Sequence, residues 1–298
     1  MKTSYCFLVI GKTAESKEAG ESFKRYIGLA SSRVLAVNPD KKTLDELMGF
    51  ESQNAPEYVV DTDHGKEVRI HFIVRTDPEV NNGIEITNRL MFTLRNAPAY
   101  NRDETKVQVI DQYGNHTWMN TDDAKAKKPA MSAEGKPLRI DTNYRMACVG
   151  ECDLVDFLKA YLCVQDVFNY VNGTWVKVED AEKCKFGLEY IKNYFSGDFS
   201  ELKEALSLQP NNKVKLLYGV RTNEGKQYQV VASRGDLILR NSARSSAIAK
   251  LEKDLINAKQ NGAYNTTEFK VQALQEYTVE PTNLEKPVDD TPSEMPWD

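Results

Sequence analysis

Basic and aromatic side chains interleave between Arg89 and Arg145: Arg89, Tyr100, Arg102, Lys106, Tyr113, Trp118, Arg139, Tyr144 and Arg145. Ten Lys or Arg stand in that stretch against seven acids. Cations neutralise phosphates and flat rings stack on unpaired bases, each stack contributing about 1–3 kcal/mol, so this mixture points to a surface for single-stranded nucleic acid. Tyr100, Tyr113 and Trp118 stand in or beside turn signals, where a ring is free to meet a ligand. Phe92 alternates with Leu90 and Leu94 and belongs to a core, and Trp118 has the alternative of plugging the end of a barrel. Arg221, Tyr228 and Arg234 repeat the combination more sparsely.

Other chemistry has no comparable pattern. Cys6–Thr13 imitates the end of a phosphate-binding loop, but the first glycine position is Cys6 and the intervening residues are strand formers. His64, His71 and His116 lie in no nucleophile or metal motif. The five cysteines, Cys6, Cys148, Cys152, Cys163 and Cys184, are odd in number and sit among apolar neighbours, as reduced core thiols do. The spacings of the last four match none of the paired zinc patterns. We expect no enzyme, no cofactor and no metal site.

The elements that must position these residues are mostly short strands. Arg33–Val37, Tyr58–Val60, Val68–Val74, Glu85–Leu94, Lys106–Ile110, Lys213–Val220 and Lys226–Val231 cluster or alternate β-branched and aromatic residues, with turn signals at Asp77-Pro78, Asn82-Gly83, Tyr113–Asn115 and Asn223–Gly225. Residues 3–10 form a further expected strand, and Phe269–Val279 a last one. Helical spacing appears at Lys42–Met48, Asp153–Cys163, Glu182–Tyr194, Phe199–Leu208 and Arg244–Ala258. Ala124–Pro137 has no apolar period and is expected to be a mobile loop. Strands on both sides of a helical block imply one β-core with inserted helices, because late strands without sheet partners would be unstable. The expected fold is α+β: an OB-like antiparallel β-barrel over residues 1–279, with a helical insertion over about 151–208.

At 298 residues, with 41% apolar and 28% charged residues, the chain has the composition of ordinary globular proteins. No run approaches the roughly 20 apolar residues that span a bilayer, and we expect a cytoplasmic protein with no membrane partner. The formal charge of -5 is unevenly spread. Seven acids against Lys286 alone stand from Glu276 onward, which leaves the rest of the chain near +1. Residues 280–298 are expected to form a disordered acidic tail, kept irregular by its prolines. Its tip, with Asp289, Asp290, Glu294, Pro296, Trp297 and Asp298, has the make-up of a partner-docking peptide that also competes for a basic groove.

Three segments carry a resemblance: Val107–Trp118, Ser196–Ala205 and Gly262–Phe269 are similar to stretches of single-stranded DNA-binding proteins of large tailed phages, including crAss-like phages of gut Bacteroides. The resemblance implies an OB-type barrel that coats replication, recombination and repair intermediates. It also implies a tail that recruits replication and recombination proteins, and a place in the cytoplasm of an infected bacterial host. The tip departs from the bacterial pattern by ending Trp297-Asp298, and the clustered ligands of zinc-containing phage binders are absent. The alternative is a phage structural or assembly protein whose rings are core.

Overall fold

A computed structural model describes residues 24–63, 65–172, 174–180 and 193–278. The expected strand over 3–10, nearly all of the expected helix over Glu182–Tyr194, and the tail with its six docking residues lie outside them.

Strand β1 (Tyr26–Val37) leads through Asn38-Pro39 into α1 (Lys41–Met48). Asp40 caps that helix by accepting from the Thr43 amide at 2.8 Å, and Gly49 closes it in the left-handed conformation. β2 (Val59–Thr62), β3 (Gly65–Thr76) and β4 (Thr87–Pro98) follow as an antiparallel meander. Next come β5 (Lys106–Asp111), β6 (His116–Asn120), α2 (Thr121–Lys125), β7 (Tyr144–Met146) and β8 (Cys148–Val149). Helix α3 (Glu151–Tyr161), the hairpin β9 (Phe168–Val171) and β10 (Thr174–Lys177), and α4 (Ser200–Ser207) precede β11 (Val214–Asn223) and β12 (Lys226–Val231). The remaining described elements are β13 (Leu239–Arg240), α5 (Ser245–Gln260), β14 (Thr267–Phe269) and β15 (Gln275–Glu276).

The main sheet runs β12-β11-β1-β3-β4-β8, every neighbouring pair antiparallel. β11 pairs with β1, so the late strands take their partners from the first described one. β12 also touches β4 without sharing a ladder with it among the described residues, and the sheet therefore curls into a half-barrel. The fold is α+β. A separate three-stranded sheet, β6-β5-β7, and the β9–β10 hairpin stand beside it.

Alternation decides the core. Val68, Ile70, Phe72 and Val74 of β3 share one face with Leu94, Phe92 and Leu90 of β4, the register partners of the first three, and with Val214, Leu216 and Tyr218 of β11. Helix α3 lays Leu154, Phe157, Leu158 and Tyr161 into this concave face. The Phe157 ring sits 4.5 Å from that of Phe72 and 5.4 Å from that of Phe92. Gly150 makes the approach possible: its φ is +78°, and a Cβ there would lie 2.1 Å from the Thr93 carbonyl oxygen. On the opposite face, Leu251 and Leu255 of α5 pack with Leu217, Leu237 and Phe269.

Three expectations are corrected. The insertion over 151–208 is not wholly helical, because β9 and β10 form a hairpin within it, with Asn172 in the left-handed region at φ 49°. Ala124–Pro137 is not a free loop: α2 covers its start, and Leu138 donates to Ala130 and Ser132 to Lys136, because Ala130 is buried against Val107, Val109 and Ile140. The last expected strand is two short ones, β14 and β15.

Replacing Phe157 by Ala removes the ring that fills the concave face and is expected to cost about 3–5 kcal/mol in urea unfolding. A loss below about 1 kcal/mol would show that the face is not closed by this helix.

Candidate nucleic-acid interface

Of the residues singled out in the sequence, Lys106, Tyr113 and Trp118 lie on one hairpin. β5 and β6 bury Val107, Val109 and Met119 on one face. The other face carries Ile110 opposite His116, Gln108 opposite Trp118 and Lys106 opposite Asn120. Cys152 and Val155 of α3 cover this face at Ile110. Beyond that point it opens. Trp118 is 46% exposed, Lys106 is exposed one register step away, and Arg102 is exposed in the turn before β5. Neither cation forms an ion pair among the described residues.

Tyr113 takes a different place from the one its turn position implied. Only 1% exposed, it packs with Val167, Phe168 and Trp175, and the Lys177 ammonium lies 5.1 Å from its ring centroid. The buried Asp111 carboxylate shapes the turn by accepting from the amides of Tyr113 at 2.8 Å, Asn115 at 2.9 Å and Asp141 at 2.8 Å. Tyr113 offers no face to a base. It is the joint between the β5–β6 and β9–β10 hairpins.

That joint brings up an aromatic site outside the sequence expectation. Trp175 stands opposite Tyr170 with ring centroids 5.0 Å apart, and the Arg139 guanidinium lies 5.4 Å from the Trp175 ring. Tyr170 is 61% exposed. Arg139 also pairs with Asp166, which tempers its charge. The Asn172-Gly173 turn signal between the two rings was available to find this hairpin.

Comparisons with protein-family models, curated proteins and solved structures find no match.

The other singled-out residues are dispersed. Tyr144 is 3% exposed, its hydroxyl donating to the Lys128 carbonyl at 2.6 Å, so its ring too is core. Arg145 clamps the fully buried carboxylate of Glu151, which also accepts from the Cys148 amide at 2.8 Å. Removing that arginine would strand a buried charge. Arg89 is half-buried on the outer face of β4, and desolvation lowers its pKa. Its neighbours on that face, Arg69, Arg75 and Arg95, are tied to Glu67 and Glu85. Tyr100 lines an open cavity of about 380 Å³ with Glu104, Asp122 and Lys125, where two acids oppose a polyanion. Arg221 and Tyr228 face each other across β11–β12 in the main sheet, and Arg234 is paired with Asp236 at 2.6 Å.

Among the described residues no helix is long and apolar enough to cross a membrane, and no group of three or more His, Cys, Asp or Glu is placed to hold a metal ion. One line of titratable groups does form. His116 Nε2 lies 2.9 Å from Asp156 Oδ1, and Cys152, one turn earlier on α3, stands beside the same ring. Cys152 is 2% exposed, and burial raises its thiol pKa, so it is a protonated core group without an approach for a substrate. Burial opposes the charge on His116, but its bond to the Asp156 carboxylate more than offsets this and raises its pKa to about 10.

A histidine whose pKa is raised on folding stabilises fully below the unfolded value, about 6.5, and loses that contribution as pH climbs toward 10. The gap in unfolding free energy between wild type and Asp156→Asn is therefore expected to shrink between pH 6 and pH 10 in urea titrations. A gap that stays constant with pH would contradict a charged His116.

Proposed function

We propose that this chain binds single-stranded DNA with little regard to sequence, protecting replication and recombination intermediates. The observation that carries the reading is the pair of aromatic–basic sites on two hairpins joined at Tyr113: Trp118 with Lys106, and Tyr170 with Trp175 and Arg139. Exposed rings next to cations suit a strand whose bases are unpaired, because every base has a π-face and every nucleotide a phosphate. A duplex would leave such rings without a partner. The half-barrel is compatible with an OB-type barrel elaborated by α3, the β9–β10 hairpin and α4, although binding here would use the hairpins beside the main sheet.

The acidic tail fits the same reading. With net charge -6 from Glu276 onward, it competes with phosphates for the cations of the near-neutral remainder and presents Trp297 to replication and recombination proteins when displaced. A second reading, a structural or assembly protein without nucleic-acid binding, is favoured by Val171 and Val176, which are exposed on the other side of the β9–β10 hairpin and suit a protein partner.

Fluorescence titration with oligo-dT tests the choice. Saturable binding that weakens with salt is expected, with Trp118→Ala and Tyr170→Ala each weakening it by about 1–3 kcal/mol. Lys106→Ala should reduce the salt slope by about 0.7, and deletion of residues 280–298 should tighten binding. Absence of binding at low salt, with and without residues 280–298, would leave the interaction-protein reading in its place.

A further inference from the structure

The outer face of β1 and β11 holds a cavity that the strand-binding reading does not use. It is open to solvent and holds about 540 Å³, within the range of small-molecule sites, and no residue of β5, β6, β9 or β10 lines it. Leu29, Val80, Ile248 and Val271 supply apolar walls. Lys213 and Lys215 supply positive charge, and among the described residues no Asp or Glu lines the cavity.

The polar groups divide into scaffold and unfilled donors. Asn81 is scaffold: it accepts from the Ser31 amide at 3.1 Å and donates to the Ser31 carbonyl at 2.8 Å and the Asp77 carbonyl at 2.6 Å. Lys213 is held by Asp77. Lys215, opposite Ser31 in the β1–β11 ladder, has no carboxylate partner among the described residues. Asn241 accepts from the Ser31 hydroxyl at 2.7 Å through its oxygen, which leaves its amide hydrogens to donate. Gln272 Nε2 is buried behind the wall with no hydrogen-bond partner among the described residues. An unsatisfied buried donor costs roughly 1–3 kcal/mol, which a bound acceptor recovers once the amide turns toward the cavity.

A lone ammonium, two amide donors and apolar walls suit an anion with a flat, acceptor-bearing body. We propose that this cavity binds a nucleoside 5′-phosphate, the phosphate on Lys215 and the base between the apolar walls, with its carbonyl oxygens on Asn241 and Gln272. The ligand chemistry is shared by a free mononucleotide and by the 5′-phosphorylated end of a strand.

Calorimetric titration of the full chain with dTMP, thymidine and inorganic phosphate tests it, alongside oligo-dT with and without a 5′-phosphate. Expected are dTMP binding at least about tenfold tighter than thymidine or phosphate alone, and a loss of about tenfold in Lys215→Ala. Gln272→Leu, which fills the wall and removes the unsatisfied donor, should weaken dTMP while raising the urea midpoint. Tighter binding of the phosphorylated oligonucleotide that Lys215→Ala abolishes assigns the strand end, and equal affinity for the two oligonucleotides assigns the free nucleotide. No dTMP binding at millimolar concentration, or binding unaltered in both variants, overturns the site. Because dTMP is titrated by itself, failure of strand binding does not decide this result.

Discussion

Phe157 fills the concave face of the half-barrel, and the placement of every candidate surface follows from that. Its ring is wedged against Phe72 and Phe92 and stacked on Tyr161, so the side of the sheet that curls inward is a packed core and not a groove. The packing requires α3 to approach β4 to within backbone contact, which only the glycine at position 150 allows. A polymer ligand must then lie on the outside. The outer face of β3 and β4 is rich in arginine, but acids neutralise most of it and Arg89 is half-buried.

What remains open are the two hairpins beside the main sheet, and Tyr113 holds them together. Its burial under Lys177 and against Phe168 fixes the turn of one hairpin to the body of the other. Helix α3 anchors the first hairpin as well, through Ile110 and through the bond from His116 to Asp156. The element that closes the concave face thus also positions the exposed Trp118. Rigid support of this kind matters for stacking, since a ring that must first be ordered gives back part of the contact energy.

Much of the fold was legible. The β-branched and aromatic residues of Val68–Val74 and Glu85–Leu94 foretold both strands, the alternation of Leu90, Phe92 and Leu94 foretold the face that β4 buries, and the Asn223–Gly225 turn foretold the β11–β12 hairpin, whose Glu224 and Gly225 both take positive φ. The β9–β10 hairpin was missed beside helical periodicity on either side, although Asn172-Gly173 marked it. The site was less legible. Trp118, expected in or beside a turn, lies within β6, and the strand's period of two sets it on the face that carries Lys106. Tyr113 and Tyr144 were misjudged because their burial depends on partners distant in the chain, Phe168 and Trp175 for one and Lys128 with Ala130 for the other. Arg145 looked like a phosphate ligand, since no local pattern announces that Glu151 is buried and needs it.

The central claim is that single-stranded DNA lies across the two hairpins and leaves the filled face untouched. Amide hydrogen exchange of the full chain, with and without saturating oligo-dT, measures this directly. The account predicts added protection within residues 101–120 and 168–177 and unchanged exchange within Gly65–Thr76 and Glu151–Tyr161. Protection confined to the main sheet, with both hairpins unaffected, would contradict it.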